Sequence, residues 1–274
     1  MASDLTKRVL FAVPAAILFI FVTWMGGWYF KGFIILIGFF IQQEVIRLLD
    51  GSGQITDAWF PYTIGLWVML FPVLPFPFEI GLAIMLLFVA LQTFDQSGDS
   101  ITKLSTTFFA GLYAPVGLLA LMLIRETGSH PNGFLLTVAT VLMVWGDDVF
   151  AYFGGKAFGK RPLAPLISPN KTVEGFLSGY VGCVAGLALA MYAIPLDSAF
   201  SFVMLCPLIL LVGTFGPIGD LIESKMKRKA GVKDSSKLLP GHGGFFDRFD
   251  ALILAAPAVY VYISIIIGFG YVTF

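Results

Sequence analysis

Apolar runs of about 20 residues recur along almost the whole chain, and this repetition constrains the fold more than any other feature. An apolar helix of that length matches the hydrocarbon core of a bilayer, which is about 30 Å thick. Charged residues make up only 12% of the chain and hydrophobic residues 58%, whereas soluble domains carry about 25% charged residues. The sequence therefore predicts an all-α, polytopic integral membrane protein and excludes a soluble globular domain.

Nine apolar runs are predicted to be transmembrane helices within a single integral membrane domain, residues 1–274. The predicted spans are Val9–Trp24, Trp28–Leu49, Phe60–Phe76, Phe78–Phe94, Thr107–Ile124, Asn132–Gly154, Thr172–Ile194, Phe200–Ser224 and Asp247–Tyr271. Pro72, Pro75 and Pro77 mark a turn between the short third and fourth runs, so these two could instead form one broken re-entrant element. Residues 1–130 hold the N-terminal spans and residues 131–274 the predicted catalytic spans.

The first run follows Lys7 and Arg8, as the apolar part of a signal peptide would, but it lacks a small-residue cleavage site. It continues into Trp24 and Trp28, which are typical of the membrane interface, so a retained span is predicted. Both cysteines lie in apolar runs, and neither a disulfide framework nor a zinc site is expected from them.

Basic residues set the predicted orientation, because cytoplasmic loops of membrane proteins are enriched in Lys and Arg. With a cytoplasmic N-terminus and nine alternating spans, only Lys31 and Arg125 of the 17 cations lie outside. One span more or fewer in the first half would place the two basic loops opposite the N-terminal cations. The pattern therefore predicts a cytoplasmic N-terminus.

Several carboxylates fall at one depth near the cytoplasmic ends of the later spans. Ionisable residues inside membrane helices are costly and are functional candidates by default. Asp147 and Asp148 lie near the end of span six, and Asp220 lies at a similar depth in span eight. Asp247 and Asp250 open span nine from the same side.

Spans seven and eight add further polar groups at that depth. In span eight the spacing i, i+3, i+4, i+7 places four polar side chains on one helical face, namely Asp220, Glu223, Ser224 and Lys227. At the start of span seven, Ser168 or Asn170 could cap the helix, and Lys171 with the free helix amides could form an anion site. Four helix ends would thus meet where a lipid headgroup and a soluble nucleotide can react.

Each feature taken singly also has a purely structural explanation. The aspartate pair of span six could be polar packing residues, and the carboxylates of span nine could simply favour a helix N-terminus. Lys171 could pair with Glu174 at a helix start, and the basic run Lys225–Lys229 could serve topology or contact anionic lipid. Glu44 fits a packing or interfacial role better than that of a ligand, and His130 is expected to be inert in an outside turn.

The polar stretch between spans eight and nine carries a dense set of residues at fixed offsets. They are Ser224, Lys227, Arg228, Lys233, Asp234, Pro240, His242, Gly243, Gly244, Asp247, Arg248 and Asp250. This stretch resembles the signature of the CDP-diacylglycerol synthases, or phosphatidate cytidylyltransferases. In that signature Ser and Lys-Arg precede Lys-Asp, and Pro-x-His-Gly-Gly leads to Asp-Arg-x-Asp.

A second block is similar to the central motif of the same family. It comprises Trp145-Gly146-Asp147-Asp148, Ala151-Tyr152, Gly154, Phe158-Gly159-Lys160, Leu163-Ala164-Pro165 and the run from Ser168 to Gly175. Asp148 falls on the acidic position of the motif, whereas Asp147 stands where a small residue is usual, and Val173 replaces the usual Trp. Which of the two aspartates faces a metal stays open at this point.

The resemblance implies that CTP and phosphatidate react to give CDP-diacylglycerol and pyrophosphate, with Mg²⁺ as the cofactor and K⁺ as a candidate second ion. It also implies a homodimer in the bacterial inner membrane, with the active site on the cytoplasmic side. The expected partners are CTP, phosphatidate and the lipid bilayer, and no nucleic acid is expected.

The residues of this sequence that match the motifs are assigned the following roles. The predicted catalytic residues are Asp148, Lys171, Glu174, Asp220, Glu223 and Asp247. The predicted metal ligands are Asp220 and Asp247, followed by Asp148 and Glu223. The predicted substrate-binding residues are Ser168, Asn170, Ser224, Lys227, Arg228, Lys233, Asp234, His242, Gly243, Gly244, Arg248 and Asp250.

Such a reaction needs alignment and charge neutralisation more than covalent chemistry. The lipid phosphate is itself the nucleophile, so no phospho-enzyme is expected, and the Gly243-Gly244 backbone could approach a phosphate closely. Two alternatives remain: a CTP-dependent lipid kinase that transfers the γ-phosphate, and a secondary transporter with intramembrane carboxylates. The sequence shows no internal repeat, and its polar residues cluster at one face, which disfavours the transporter.

Overall fold

The structure is a computed structural model that describes residues 4–54, 56–94, 100–128, 130–194, 199–239, 241 and 243–272, with the backbone alone for residues 4–11. These residues form nine α-helices and one short β-hairpin. The helices are α1 (Asp4–Met25), α2 (Gly27–Gly51), α3 (Phe60–Leu70), α4 (Pro77–Phe94), α5 (Ser100–Arg125), α6 (Asn132–Phe158), α7 (Val173–Ala193), α8 (Phe202–Lys229) and α9 (Phe246–Gly268). The strands are β1 (Pro162–Ala164) and β2 (Ser168–Thr172).

The predicted all-α polytopic membrane fold is confirmed. Seven of the described helices, α2 and α4 to α9, are long and apolar enough to cross a bilayer. α3 has only 11 residues, so at 1.5 Å per residue its length of about 16 Å covers roughly half of the hydrocarbon core. The exact number of spans and the cytoplasmic N-terminus stay predictions.

α6 and α7 pack with their backbones in direct contact. A Cβ atom on Gly146 of α6 would collide with the carbonyl oxygen of Gly182 on α7, and the reverse substitution would collide in the same way. One turn further along, Gly186 meets the backbone of Leu142. Small residues permit such close approach between membrane helices, and here they fix the end of α6 that carries the aspartate pair.

α5 is the central helix of the bundle and packs against α2, α3, α6 and α9. Its inward side, which includes Ala110, Ala114, Leu118 and Leu121, is fully or almost fully buried. Gly117 of α5 lies directly against the backbone of Ile253 in α9. Because α9 is also packed against α8, it is held between two neighbouring helices.

The hairpin β1–β2 connects α6 to α7. The strands are antiparallel, with Pro162 opposite Thr172 and Ala164 opposite Ser168. The amide of Val173 donates to the carbonyl oxygen of Arg161 at 2.9 Å, which joins the start of α7 to the hairpin. The hairpin therefore places residues 168–172 beside the ends of α6 and α8.

Candidate active site

Three carboxylates from two helices converge where α8 packs against α9. Oxygens of Asp220 and Glu223 on α8 and of Asp250 on α9 all lie within 4.8 Å of one another. α8 and α9 can come this close because Gly219 of α8 has no side chain. A Cβ atom there would collide with the carbonyl oxygen of Asp250 and lie 3.2 Å from the Cα of Ala251. We call this group of three residues the carboxylate cluster.

The carboxylate cluster fits a divalent cation. Carboxylate oxygens are the ligands that Mg²⁺ prefers in proteins. Glu223 is 1% exposed, and its Oε1 atom is buried without a hydrogen-bond partner. A buried polar atom with no partner is costly, and three acidic groups this close repel one another. A bound cation would relieve both costs.

Lys227 joins the carboxylate cluster to Asp247. Its Nζ atom lies 2.7 Å from Glu223 Oε2 and 2.7 Å from Asp247 Oδ1. The second oxygen of Asp247 accepts hydrogen bonds from Ser235 N at 2.9 Å, Ser235 Oγ at 2.7 Å and Gly244 N at 2.8 Å. Asp247, predicted as a metal ligand, is thus engaged on both oxygens, while Asp250, predicted to bind substrate, lies in the cluster instead.

Lys171 reaches the carboxylate cluster from the hairpin. It forms an ion pair with Asp220, whose other oxygen accepts a hydrogen bond from Ser224 Oγ at 3.2 Å. The predicted caps of span seven are wrong, because the chain stays extended through Ser168 and Asn170 as part of β2. Thr172 is the N-cap, and its side chain accepts from Gly175 N. Lys171 therefore lies on a strand next to the helix end.

Glu174, predicted to be catalytic, supports the hairpin instead of meeting the carboxylate cluster. Its Oε2 atom accepts hydrogen bonds from the amides of Lys160 at 3.0 Å and Arg161 at 3.1 Å. Its Oε1 atom lies 3.0 Å from Nε of Arg161. The alternative pairing of Lys171 with Glu174 is wrong as well, since each has a different partner. These contacts make Glu174 a structural anchor for the chain that enters β1.

The two aspartates of α6 point in different directions. Asp147 is 3% exposed and packs against Gly179 of α7, with Cys183 Sγ 3.8 Å from its Oδ1 atom. Asp148 is exposed and lines a cavity together with Asp247 and Asp250. The sequence left open which of the two faces a ligand, and Asp148 is the one that lines the cavity.

This cavity has a volume of about 570 Å³ and lies among α1, α2, α6 and α9. Most of its lining is apolar and includes Phe19, Phe33, Val141, Val144 and Phe249. Its polar groups are Asp148, Asp247, Arg248 and Asp250. The cavity is therefore amphipathic, and Asp250 belongs both to its lining and to the carboxylate cluster.

Other predicted substrate-binding residues lie at the end of α8 and in the loop between α8 and α9. Arg228 is exposed, and its Nε atom donates to the carbonyl oxygen of Ile167 at 3.4 Å. Lys233 and Asp234 are exposed in the loop between α8 and α9. Gly243 adopts a positive φ of 80°, while the amide of Gly244 already donates to Asp247 and so is not free for a phosphate. His242 lies outside the described residues.

Sequence reasoning missed the role of Glu44. Its side chain is completely buried and accepts hydrogen bonds from Ser235, Ser236 and two amides at the start of α9. A carboxylate within an apolar span was the available signal, but all of its partners lie far away along the chain.

Comparisons with known proteins show which family the sequence matches. Residues 6–266 match the model of a family described as the cytidylyltransferase family. A Bacillus subtilis protein named phosphatidate cytidylyltransferase is 30% identical over 273 residues, covering 96% of this chain and 98% of the relative. A Brucella abortus protein of that name is 34% identical over 265 residues, with coverage of 95% and 93%. A third, from Staphylococcus saprophyticus, is 34% identical over 260 residues, with coverage of 91% and 95%.

Proposed function

The chain belongs to the cytidylyltransferase family, and we propose that it converts CTP and phosphatidate to CDP-diacylglycerol and pyrophosphate. Relatives named phosphatidate cytidylyltransferase match over almost their whole length. The observation that carries the proposal is the junction between an apolar cavity and a group of acidic and basic side chains. Such a junction suits a substrate with two acyl chains and a phosphate headgroup.

The apolar part of the cavity is proposed to hold the acyl chains near the glycerol, and its polar end the phosphate. Phe19 and Phe249, whose ring centroids are 6.4 Å apart, contribute to the apolar lining. Arg248 lines the polar end and can bind a phosphate through two parallel hydrogen bonds. The remaining acyl length would extend into the bilayer between the helices.

In the proposed reaction an oxygen of the lipid phosphate attacks the α-phosphorus of CTP. The new P–O bond forms while the bond between the α-phosphorus and the bridging oxygen breaks, and pyrophosphate leaves with that electron pair. The nucleophile is already an anion at neutral pH, so the protein has to align two anions and offset their repulsion. Lys171 and Lys227 supply positive charge beside the carboxylate cluster.

Mg²⁺ is the proposed cofactor. Asp220, Glu223 and Asp250 would hold it, with Asp247 available if Lys227 moves away from its Oδ1 atom. When bound, the ion would supply positive charge for the phosphates of CTP and the leaving group. K⁺ as a second ion and the homodimer stay predictions. The bacterial inner membrane, with the site on the cytoplasmic side, is the proposed location.

The test uses purified protein, phosphatidate vesicles and CTP labelled on the α-phosphate. Label should enter the lipid only when a divalent cation is present. Asp220→Asn should lower turnover by about 100-fold or more, because it removes a charge from the ligand set, and replacing a residue that only orients a metal ligand already costs about 10- to 100-fold. Asp50→Asn is the matched control, because Asp50 is exposed and contacts Thr56 in a loop.

Other results would redirect the proposal. Lipid labelled only from the γ-phosphate, with release of CDP, would identify a lipid kinase. Uptake of substrate into sealed vesicles without chemical turnover would identify a transporter. Near-normal turnover in both Asp220→Asn and Asp247→Asn would refute the proposed metal site.

A further inference from the structure

Glu44 of α2 is a buried carboxylate for which the proposed reaction has no use. Its side chain is 0% exposed. Oε1 accepts from Ser236 Oγ at 2.7 Å and from the amide of Phe245 at 3.1 Å. Oε2 accepts from the amide of Phe246 at 2.7 Å and lies 2.8 Å from Ser235 Oγ, whose one hydroxyl hydrogen is shared between Glu44 and Asp247. Both oxygens are therefore fully engaged by the segment that leads into α9.

These contacts replace water around a buried charge. An isolated buried carboxylate is strongly unfavourable unless hydrogen bonds or a cation compensate for it. Within the described part of the chain, no cation forms an ion pair with Glu44. Two of its four donors are amides at the N-terminus of α9, where the helix favours negative charge. Glu44 thus caps α9 from a helix about 200 residues away.

Ser235 connects Glu44 directly to Asp247. Its Oγ atom lies 2.8 Å from Glu44 Oε2 and 2.7 Å from Asp247 Oδ2. The amide of Ser235 also donates to Asp247 Oδ2 at 2.9 Å. Asp247 immediately follows Phe246, whose amide Glu44 holds. Glu44 therefore restrains Asp247 through the serine on one side and through the helix backbone on the other.

We propose that Glu44 is a positioning residue for the acidic site, acting through Ser235 and the first turn of α9. It fixes Asp247 and, three residues later on the same helix, Asp250 of the carboxylate cluster. This inference rests on the proposed function, since it assigns Glu44 to the proposed cation site. Residues that orient metal ligands through hydrogen bonds commonly change metal affinity or activity by about 10- to 100-fold when replaced.

The experiment compares Mn²⁺ binding to purified wild-type protein and Glu44→Gln, measured from the electron paramagnetic resonance signal of free Mn²⁺ without substrate. Gln is almost isosteric with Glu, but its amide group turns two hydrogens toward donors that need an acceptor. We expect about 10-fold weaker Mn²⁺ binding and a lower kcat with a smaller change in the KM for CTP. Glu44→Asp should recover part of both.

Gln42→Met is the matched control for a purely structural effect. Gln42 lies on the same helix, is 1% exposed, and donates to the carbonyl oxygens of Pro61 at 2.8 Å and Ala110 at 3.3 Å. The control should lower the melting temperature while Mn²⁺ affinity stays at the wild-type value. If Glu44→Gln also has a lower melting temperature but binds Mn²⁺ as tightly as the wild type, the role of Glu44 is purely structural and the proposal is overturned.

Two further variants make the result decisive. Ser235→Ala should weaken Mn²⁺ binding, and adding Glu44→Gln to it should cause less than the sum of the two losses, because both changes break one connection. Should Glu44→Gln fail to fold, Ser235→Ala decides, since Ser235 contacts both Glu44 and Asp247; unchanged Mn²⁺ affinity would then overturn the proposal. A wild-type protein that binds Mn²⁺ but does not label lipid would refute the proposed function alone.

Discussion

Lys227 offers a quantitative test of how the acidic site is held together. Its side chain is 13% exposed and pairs at 2.7 Å with Glu223, which is 1% exposed, and with Asp247, which is 6% exposed. Lys227→Met keeps the length of the side chain and removes the charge. The two carboxylates would then face each other and Asp250 with no cation between them.

The expected loss of stability follows from this geometry. At an effective dielectric constant of about 20, two charges 2.7 Å apart attract by about 6 kcal/mol before the cost of desolvation. Removing one partner of a buried pair typically costs about 3–5 kcal/mol in net terms. A change of that size should lower the melting temperature by about 10 °C, taking about 2–4 °C per kcal/mol for a medium-sized domain.

The assay heats detergent-solubilised protein with a chelator and follows the fraction that stays monodisperse on size exclusion. Lys225→Met is the control, because Lys225 is exposed two residues earlier on α8, and an exposed charge should change stability by less than about 0.5 kcal/mol. Added Mg²⁺ should stabilise Lys227→Met more than the wild type, since a divalent cation can take the place of the lost charge. If Lys227→Met melted like Lys225→Met with the chelator present, the reasoning about buried charge would be refuted.

Two further predictions concern the scaffold around the site. Gly182→Ala should destabilise the protein by about 1–3 kcal/mol, because the new Cβ meets helix backbone, whereas Gly32→Ala, with open space around it, should be neutral or slightly stabilising in the same melting assay. Glu174→Ala should speed tryptic cleavage of the Lys160–Arg161 bond, because the amides of both residues lose their acceptor. The Arg161–Pro162 bond resists trypsin in either protein. Mn²⁺ affinity should stay unchanged; weaker Mn²⁺ binding would instead show that Glu174 serves the cation site.

Hydropathy alone predicted where the helices lie, because the length of an apolar run is directly related to the thickness of the bilayer that it spans. Each predicted span overlaps one helix of the structure. The largest boundary difference is at the start of α5, which begins at Ser100 instead of Thr107, and the run Phe60–Phe76 extends past the end of α3 at Leu70. The gathering of carboxylates was also predictable. Asp220, Glu223 and Asp250 share a depth and lie on helices that start or end at the same side. Coordinates were required to show that Asp250 joins the cluster in place of Asp247 and Asp148, which the sequence had grouped with the metal ligands.

The errors arose where contacts do not follow sequence spacing. Ser168 and Asn170 read as helix caps because they precede an apolar run, but pairing with β1 extends the chain as far as Thr172. The role of Glu44 depends on donors that lie 191 to 202 residues later. No local pattern in a single sequence indicates such a partner.

The long stretch of sequence between Glu44 and its hydrogen-bond donors also affects the order in which the protein can assemble. At about 5–20 residues per second, a ribosome needs roughly 10–40 s to advance from Glu44 to its hydrogen-bond donors. During that interval α2 has been synthesised, but none of the four groups that donate hydrogen bonds to its carboxylate exists yet. The site can therefore assemble only after α9 has been synthesised. Until then we expect the end of α2 that carries Glu44 to stay hydrated.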